Sequence, residues 1–472
     1  MTIKPEISRR KFIRNGMMAA GGAMVASPLE IMTAGCSSLQ PRSITISKVS
    51  SDFEREPLIR PMGFKGGYLT ELWQTAAYLE SASGVHSIGI GTQSILWSDA
   101  NVFTSNSESG GNALMYALTE RALQILRGQT FTSPVELLEE VYPEVYEYGK
   151  KITSNPSLRK TFALNALVGV DNAAWILYAR ENRITSFDGI IPPVYRPALS
   201  HRHSKVAGIP LFAYTIPVEE IRETAGQGYF FMKIKIGQPG TQEEMLAKDI
   251  ARLTEIHKAI GDISTPHTSD GKMPYYFDAN GRYEKKETLL RLLDHAKKIG
   301  AFDQIALIEE PFAEEMEIDV SDIPVRLASD ETAHTEEDVI KRIGMGYRAI
   351  ALKAIAKTLS MTMKIAQAAY ERSVPCFCAD LTVNPVLLEW NRNVAARLDS
   401  FPGMGSLGLL ESNGHQNYVN WDKMLGYHPC KDSGWINVRK GIYELDDDYF
   451  SKAGCIFEPV PHYEAMFKMP VS

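Results

Sequence analysis

The residues that could do chemistry sit at five places between Phe230 and Lys353, each at the end of a short apolar run. FFMKIKIG supplies Lys233 and Lys235, YYFDANGRY supplies Asp278, IALIEEPF supplies Glu309 and Glu310, VRLASDET supplies Asp330 and Glu331, and AIALKAIAK supplies Lys353. Three carboxylate positions offer hard oxygens of the kind magnesium takes, with room left for substrate oxygens. The lysines beside them become bases when a like charge or loss of water destabilises the ammonium. Three carboxylates with lysines around them describe a hard-cation site flanked by bases. A single acidic strand end is usually a helix cap or a surface group, but three at successive strand ends are poorly explained that way.

Such residues need elements that bring them together. Between the apolar runs lie stretches of helical period, EEMLAKDIARLTEIHKAI and KKETLLRLLDHAKKI, so the unit repeats as strand, loop, helix. That alternation predicts a parallel barrel whose C-terminal strand ends converge on one mouth. LFAYT upstream and VPCFCAD and SLGLLES downstream bring the count to about eight strands. Lys233 and Lys235 share a strand face. By the same alternation Glu310 and Glu331 turn away from their neighbours and read as supports that orient them. Lys357 falls beyond its strand and reads as a solvated lysine.

Upstream, ITISKVSSDF alternates like an edge strand and EPLIRPMGFKGG reads as a loop. YLTELWQTAAYLES and GVHSIGIGTQ complete a three-stranded meander, although the first also fits a helix. Helical periodicity follows in NALMYALTERALQILRG, SPVELLEEVYPEVYEYGKKI and RKTFALNALVGVDNAAWILYAREN. The proline-punctuated stretch from Phe187 to Gly208 reads as a joining loop. Its His201 and His203 lack a third nitrogen or sulfur ligand and read as solvated, or as a contact for a substrate carboxylate. INVRKGIYELDDDYF reads as a hairpin returning to the first domain.

The Lys-x-Lys, Asp-Ala-Asn, Glu-Glu-Pro, Ser-Asp-Glu and late lysine motifs, in this order, resemble the enolase superfamily, and within it the muconate-lactonising subgroup of the mandelate racemase family. The resemblance implies an α/β fold, a modified (β/α)8 (TIM-like) barrel with an N-terminal α+β capping domain, and a homo-oligomer. It implies Asp278, Glu309 and Asp330 as ligands of Mg2+, with Mn2+ as the alternative ion. Lys235 is then the base, Lys233 its helper, and Lys353 the group facing Lys235 across the mouth. Gly169-Val170-Asp171-Asn172-Ala173-Ala174-Trp175 resembles the structural signature on the helix leading into the barrel. Candidate substrate contacts are Phe53, Met62, Phe64 and Lys65 in the upstream loop, with Asn280, Asp380 and Glu411 at the mouth. The mandelate racemases place a His–Asp pair on the sixth and seventh strands, where this chain has Lys353 and Cys378-Ala379-Asp380 and no histidine to serve as that base. The Glu411–Asn417 stretch lacks the Asp-x-Asp with which dipeptide epimerases hold an amino group. The implied reaction is removal of an α proton from a small carboxylate, as a racemase or epimerase, or as an acid-sugar dehydratase. A degenerate surface-anchored binding protein is the alternative of another class.

With 472 residues, 44% hydrophobic and 23% charged, the chain has room for two domains and the composition of a globular protein. A formal charge of −7 gives nucleic-acid binding no electrostatic support. Ser8-Arg9-Arg10-Lys11-Phe12-Ile13 before a Gly- and Ala-rich run matches a twin-arginine export signal, and Thr33-Ala34-Gly35-Cys36 resembles a lipobox with Cys36 as the lipidation site. The expected address is periplasmic or membrane-anchored, with no membrane contact beyond that lipid. Cys376 and Cys378 read as packed thiols on one strand, and no spacing marks a disulfide. The expected division is signal 1–36, capping domain 43–185, barrel 209–434 and a returning segment 435–472.

Overall fold

The computed structural model describes residues 41–64 and 67–467. The signal with Cys36, the side chain of Phe64, and Lys65 lie outside the described residues. Near the N-terminus β1 (Ile44–Phe64), β2 (Gly67–Ser81), β3 (His86–Gln93) and β4 (Thr130–Phe131) form one antiparallel sheet in the order β3-β2-β1-β4. The helical alternative for YLTELWQTAAYLES is overturned, because β2 is paired along both edges. EPLIRPMGFKGG is no free loop either, since β1 runs through most of it. Its prolines show instead as a break in the ladder, which stops at Pro57↔Glu71 and resumes at Met62↔Leu69. A residue without an N–H cannot donate to that ladder.

Three helices, Glu108–Leu126, Pro134–Ile152 and Lys160–Asn182, follow as the periodicity predicts. Ser107 and Ser133 begin the first two as N-caps, their side chains accepting from the N–H groups of Gly110 and Glu136. The third helix lies directly on the sheet, and a Cβ at Gly89 would stand 2.1 Å from the Gly169 carbonyl oxygen. Only glycine allows that approach. The same helix reaches the barrel: Asp171 accepts from the N–H of Ser360 at 3.0 Å and its hydroxyl at 2.5 Å, and Trp175 Nε1 donates to that hydroxyl at 3.0 Å. The signature segment is thus a tie between layers.

The second sheet contains β5 (Lys205–Ile209), β6 (Leu211–Phe212), β7 (Met232–Lys235), β8 (Tyr275–Asp278), β9 (Ile305–Glu309), β10 (Leu327–Ser329), β11 (Ala349–Leu352), β12 (Cys376–Cys378) and β13 (Gly408–Glu411). Neighbours from β6 to β13 run parallel in chain order. Pro210 separates β5, which pairs with β13, from β6, which pairs with β7. Counted as one broken strand, they close a barrel of eight strands. The barrel therefore starts at Lys205, ahead of LFAYT. The segment read as a hairpin instead adds β14 (Ile442–Glu444) antiparallel to β5. The tail beyond it does return to the first sheet, where Tyr463 packs with Ala76 and Ile90. Cys376 and Cys378 are buried free thiols, as expected, whereas Cys430 and Cys455 form a disulfide that their spacing did not reveal.

Candidate active site

Each strand end delivers its charged group to the same mouth. Lys233 and Lys235 leave β7 on one face. Lys233 Nζ lies 2.9 Å from Asp278 Oδ2 and donates to Glu309 Oε1 at 2.9 Å and Glu411 Oε2 at 3.2 Å. Lys235 Nζ donates to Asp278 Oδ2 and Asn280 Oδ1, both at 2.6 Å. Lys353, at the end of β11, donates to Asp330 Oδ2 at 2.5 Å and stands 4.5 Å from the centroid of the Trp97 ring. The Tyr276 hydroxyl donates to Glu309 from below. Asp278, Glu309, Asp330, Lys233 and Lys353 are all buried.

The charges do not balance. Burial would raise Asp278 and Asp330, but the ammoniums of Lys233 and Lys235 at the first and of Lys353 and Lys357 at the second outweigh it and hold both below the usual aspartate range. Glu309 goes the other way: burial and the Asp278 charge lift it well above its ordinary value despite Lys233. The mouth thus holds more carboxylate charge than its lysines offset. Glu309, Asp330 and Glu331 each present a carboxylate oxygen, all within 4.8 Å of one another. A buried, oxygen-only donor set with surplus negative charge fits a hard divalent cation.

Asp278 stands beside this set, in register with Glu309 on β8, and its Oδ2 is shared by both β7 lysines. Glu331 is a correction. Period-two alternation holds only inside a strand, and β10 ends at Ser329, so both Asp330 and Glu331 face the cavity. Glu310 does support, its carboxylate accepting from the Asp330 N–H at 2.8 Å and from the Thr332 hydroxyl at 2.9 Å. Lys357 is a second correction. It is fully buried and donates to the Asp330 carbonyl oxygen at 2.6 Å, because a short helix, Ala354–Lys357, turns it back under the mouth.

Asn280 and Glu411 line the cavity with Asp380, but as a linked frame. Asp380 accepts from the N–H groups of Leu381 at 2.7 Å and Asn413 at 2.9 Å, and Glu411 accepts from the Asp380 N–H at 3.0 Å. Burial and the Glu411 charge push Asp380 up to about 7. Met62 lines the cavity, whereas Phe53 does not: its ring stacks on Trp73 at 4.1 Å within the first sheet. His201 and His203 are not among the residues lining the cavity: His203 Nε2 donates to the Leu398 carbonyl oxygen at 2.8 Å and His201 pairs with Asp399 at 2.7 Å, ahead of β13. Sequence reasoning missed Ser94 and Trp97, which enter the cavity from the turn after β3. Nothing in SILWSD beyond its place after a meander strand marks them.

Residues 217–421 match the family model described as "Enolase C-terminal domain-like". Over that stretch the chain is similar to the C-terminal domain of the enolase superfamily. Solved structures of mandelate racemase/muconate lactonizing type share the barrel and its N-terminal layer. A dipeptide epimerase from Enterococcus faecalis V583, complexed with Mg and L-Leu-L-Tyr, is 15% identical, with a TM-score of 0.60 over 87% of this chain and 99% of that one. The L-Ala-D/L-Glu epimerase from Bacillus subtilis is 15% identical, with a TM-score of 0.57 over 85% and 96%. The L-talarate dehydratase from Polaromonas sp. JS666, complexed with Mg and L-glucarate, is 18% identical, with a TM-score of 0.56 over 82% and 89%. Likeness at these identities concerns the fold. Among curated proteins, none matches this sequence.

Proposed function

We propose that the protein is a magnesium-dependent enzyme that removes the α proton of a carboxylate substrate and returns it to either face, as a racemase or epimerase. The observation that carries this reading is the placing of Lys235 and Lys353. Their strands, β7 and β11, are four steps apart in a barrel of eight, so the two lysines enter one cavity from opposite sides. Glu309 and Asp330, with Asp278 and Glu331 beside them, would hold the ion. Magnesium, when bound, supplies the positive charge that offsets the second negative charge of the enolate. Lys235 takes the proton from one face and Lys353 from the other, each serving one stereoisomer. Lys233 pairs with three carboxylates and fixes their geometry. The magnesium-bound epimerases of the same fold lend support.

The twin-arginine motif supports export, and so does the Cys430–Cys455 disulfide, a bond that oxidising compartments maintain. Cys36 is then the lipid anchor, and the family habit of self-association extends to this chain.

The test is α-proton exchange in D2O, followed by NMR across hydroxy acids, acid sugars and N-acyl amino acids. Positioned general bases contribute roughly 10²–10⁴-fold. Lys353→Ala should keep exchange of one stereoisomer through Lys235 and lose interconversion by about that factor, and Lys235→Ala should show the mirror image. Full turnover of Lys353→Ala to a 2-keto product would replace the epimerase with the dehydratase reading.

A further inference from the structure

Trp97 belongs to neither the ion site nor the pair of bases, yet it forms part of the cavity wall. It comes from the short helix Ile95–Ser98 after β3, is 5% exposed, and lays its ring over the Lys353 ammonium at 4.5 Å. Such a contact fixes the plane of the ring. Its indole Nε1 is buried and has no acceptor among the described residues. Indole N–H groups shut away from water are nearly always bonded, because leaving one unmade is unfavourable. Trp97 lines the cavity together with the apolar Met62, Leu211, Ala213 and Leu381, and since no described residue accepts from its N–H, the acceptor is one that arrives with what binds.

We infer that Trp97 is a specificity-determining residue whose indole N–H donates to an oxygen acceptor, a carbonyl or carboxylate, on the substituent of the substrate's α carbon. The inference rests on the proposed α-proton chemistry and adds to it the class of substituent. The reacting carboxylate lies with the ion ligands, and the apolar wall takes the remainder of the substituent. A substituent without an oxygen at that position leaves the N–H unmade and binds more weakly.

The test uses the full-length mature protein with magnesium and matched carboxylates that differ only in that oxygen, 2-benzyl-4-oxopentanoate against 2-benzylpentanoate. Binding is read by calorimetry and α-proton exchange by NMR in D2O. Trp97→Phe keeps an aromatic ring over Lys353 and removes the donor. Wild type should bind the oxo compound about tenfold more tightly than its partner, and Trp97→Phe should erase that preference in Kd. Equal affinity of wild type for both compounds, no binding of either, or a preference that survives in Trp97→Phe overturns the inference. Preferential binding without exchange in wild type would retain Trp97 as the discriminating donor and sink the α-proton reading instead. Exchange with equal affinities would do the reverse.

Discussion

At the scale of single residues, the site was legible where a side chain hangs from a strand and obscure where it follows one. Lys233, Lys235, Asp278 and Glu309 lie inside β7, β8 and β9, and alternation places them correctly. Glu331 and Lys357 lie past the ends of β10 and β11, where backbone turns decide direction and no periodicity speaks for them. Lys357 shows what such a miss conceals. Burial lowers its pKa, with the Asp330 charge opposing, and its ammonium donates to the Asp330 carbonyl oxygen. Lys357→Met should leave the buried Asp330 carbonyl oxygen without its donor and destabilise the protein by about 1–3 kcal/mol, read from urea unfolding. An unchanged midpoint would mean that another group takes over the carbonyl.

Between elements, the tie from the helix Lys160–Asn182 to Ser360 holds the N-terminal layer against the segment that follows Lys353. Burial raises Asp171 to about 7, against the hydrogen bonds from Ser360. A carboxyl raised in the folded state keeps its proton while the unfolded chain has already lost it. Stability from this group is therefore fully present at low pH and declines from the ordinary aspartate range up to about 7. Asp171→Asn removes that titration. Its stability relative to wild type should improve over the same interval by a few kcal/mol, since each tenfold difference in proton affinity between folded and unfolded chain is worth about 1.4 kcal/mol. A difference that is flat with pH would show that Asp171 ionises freely in the fold. Sequence pattern supplied these elements because amphipathic periods are local. The disulfide, the docking of β14 and the Asp171 tie join distant positions, and no local period encodes them.

For the whole molecule, the C-terminal segment binds the two sheets together, through β14 on β5 and Tyr463 on β2 and β3, and the disulfide closes a 25-residue loop within it. Cys430→Ser should lower unfolding free energy by about 3 kcal/mol under oxidising conditions and by nothing once wild type is reduced. Export is tested by Arg9→Lys with Arg10→Lys, which should retain the precursor in the cytoplasm. Cys36→Ser should release the mature protein from membranes. The ion pairs at the mouth carry one more consequence. Lys233, Lys235 and Lys353 act as internal counter-ions for the carboxylates a metal would claim. A chain carrying its own counter-ions reaches its final shape before any metal arrives. Assembly and loading are then separate events, and magnesium enters a fold that is already finished. Refolding in chelator should therefore recover full secondary structure and cooperative melting, with activity returning on addition of magnesium alone.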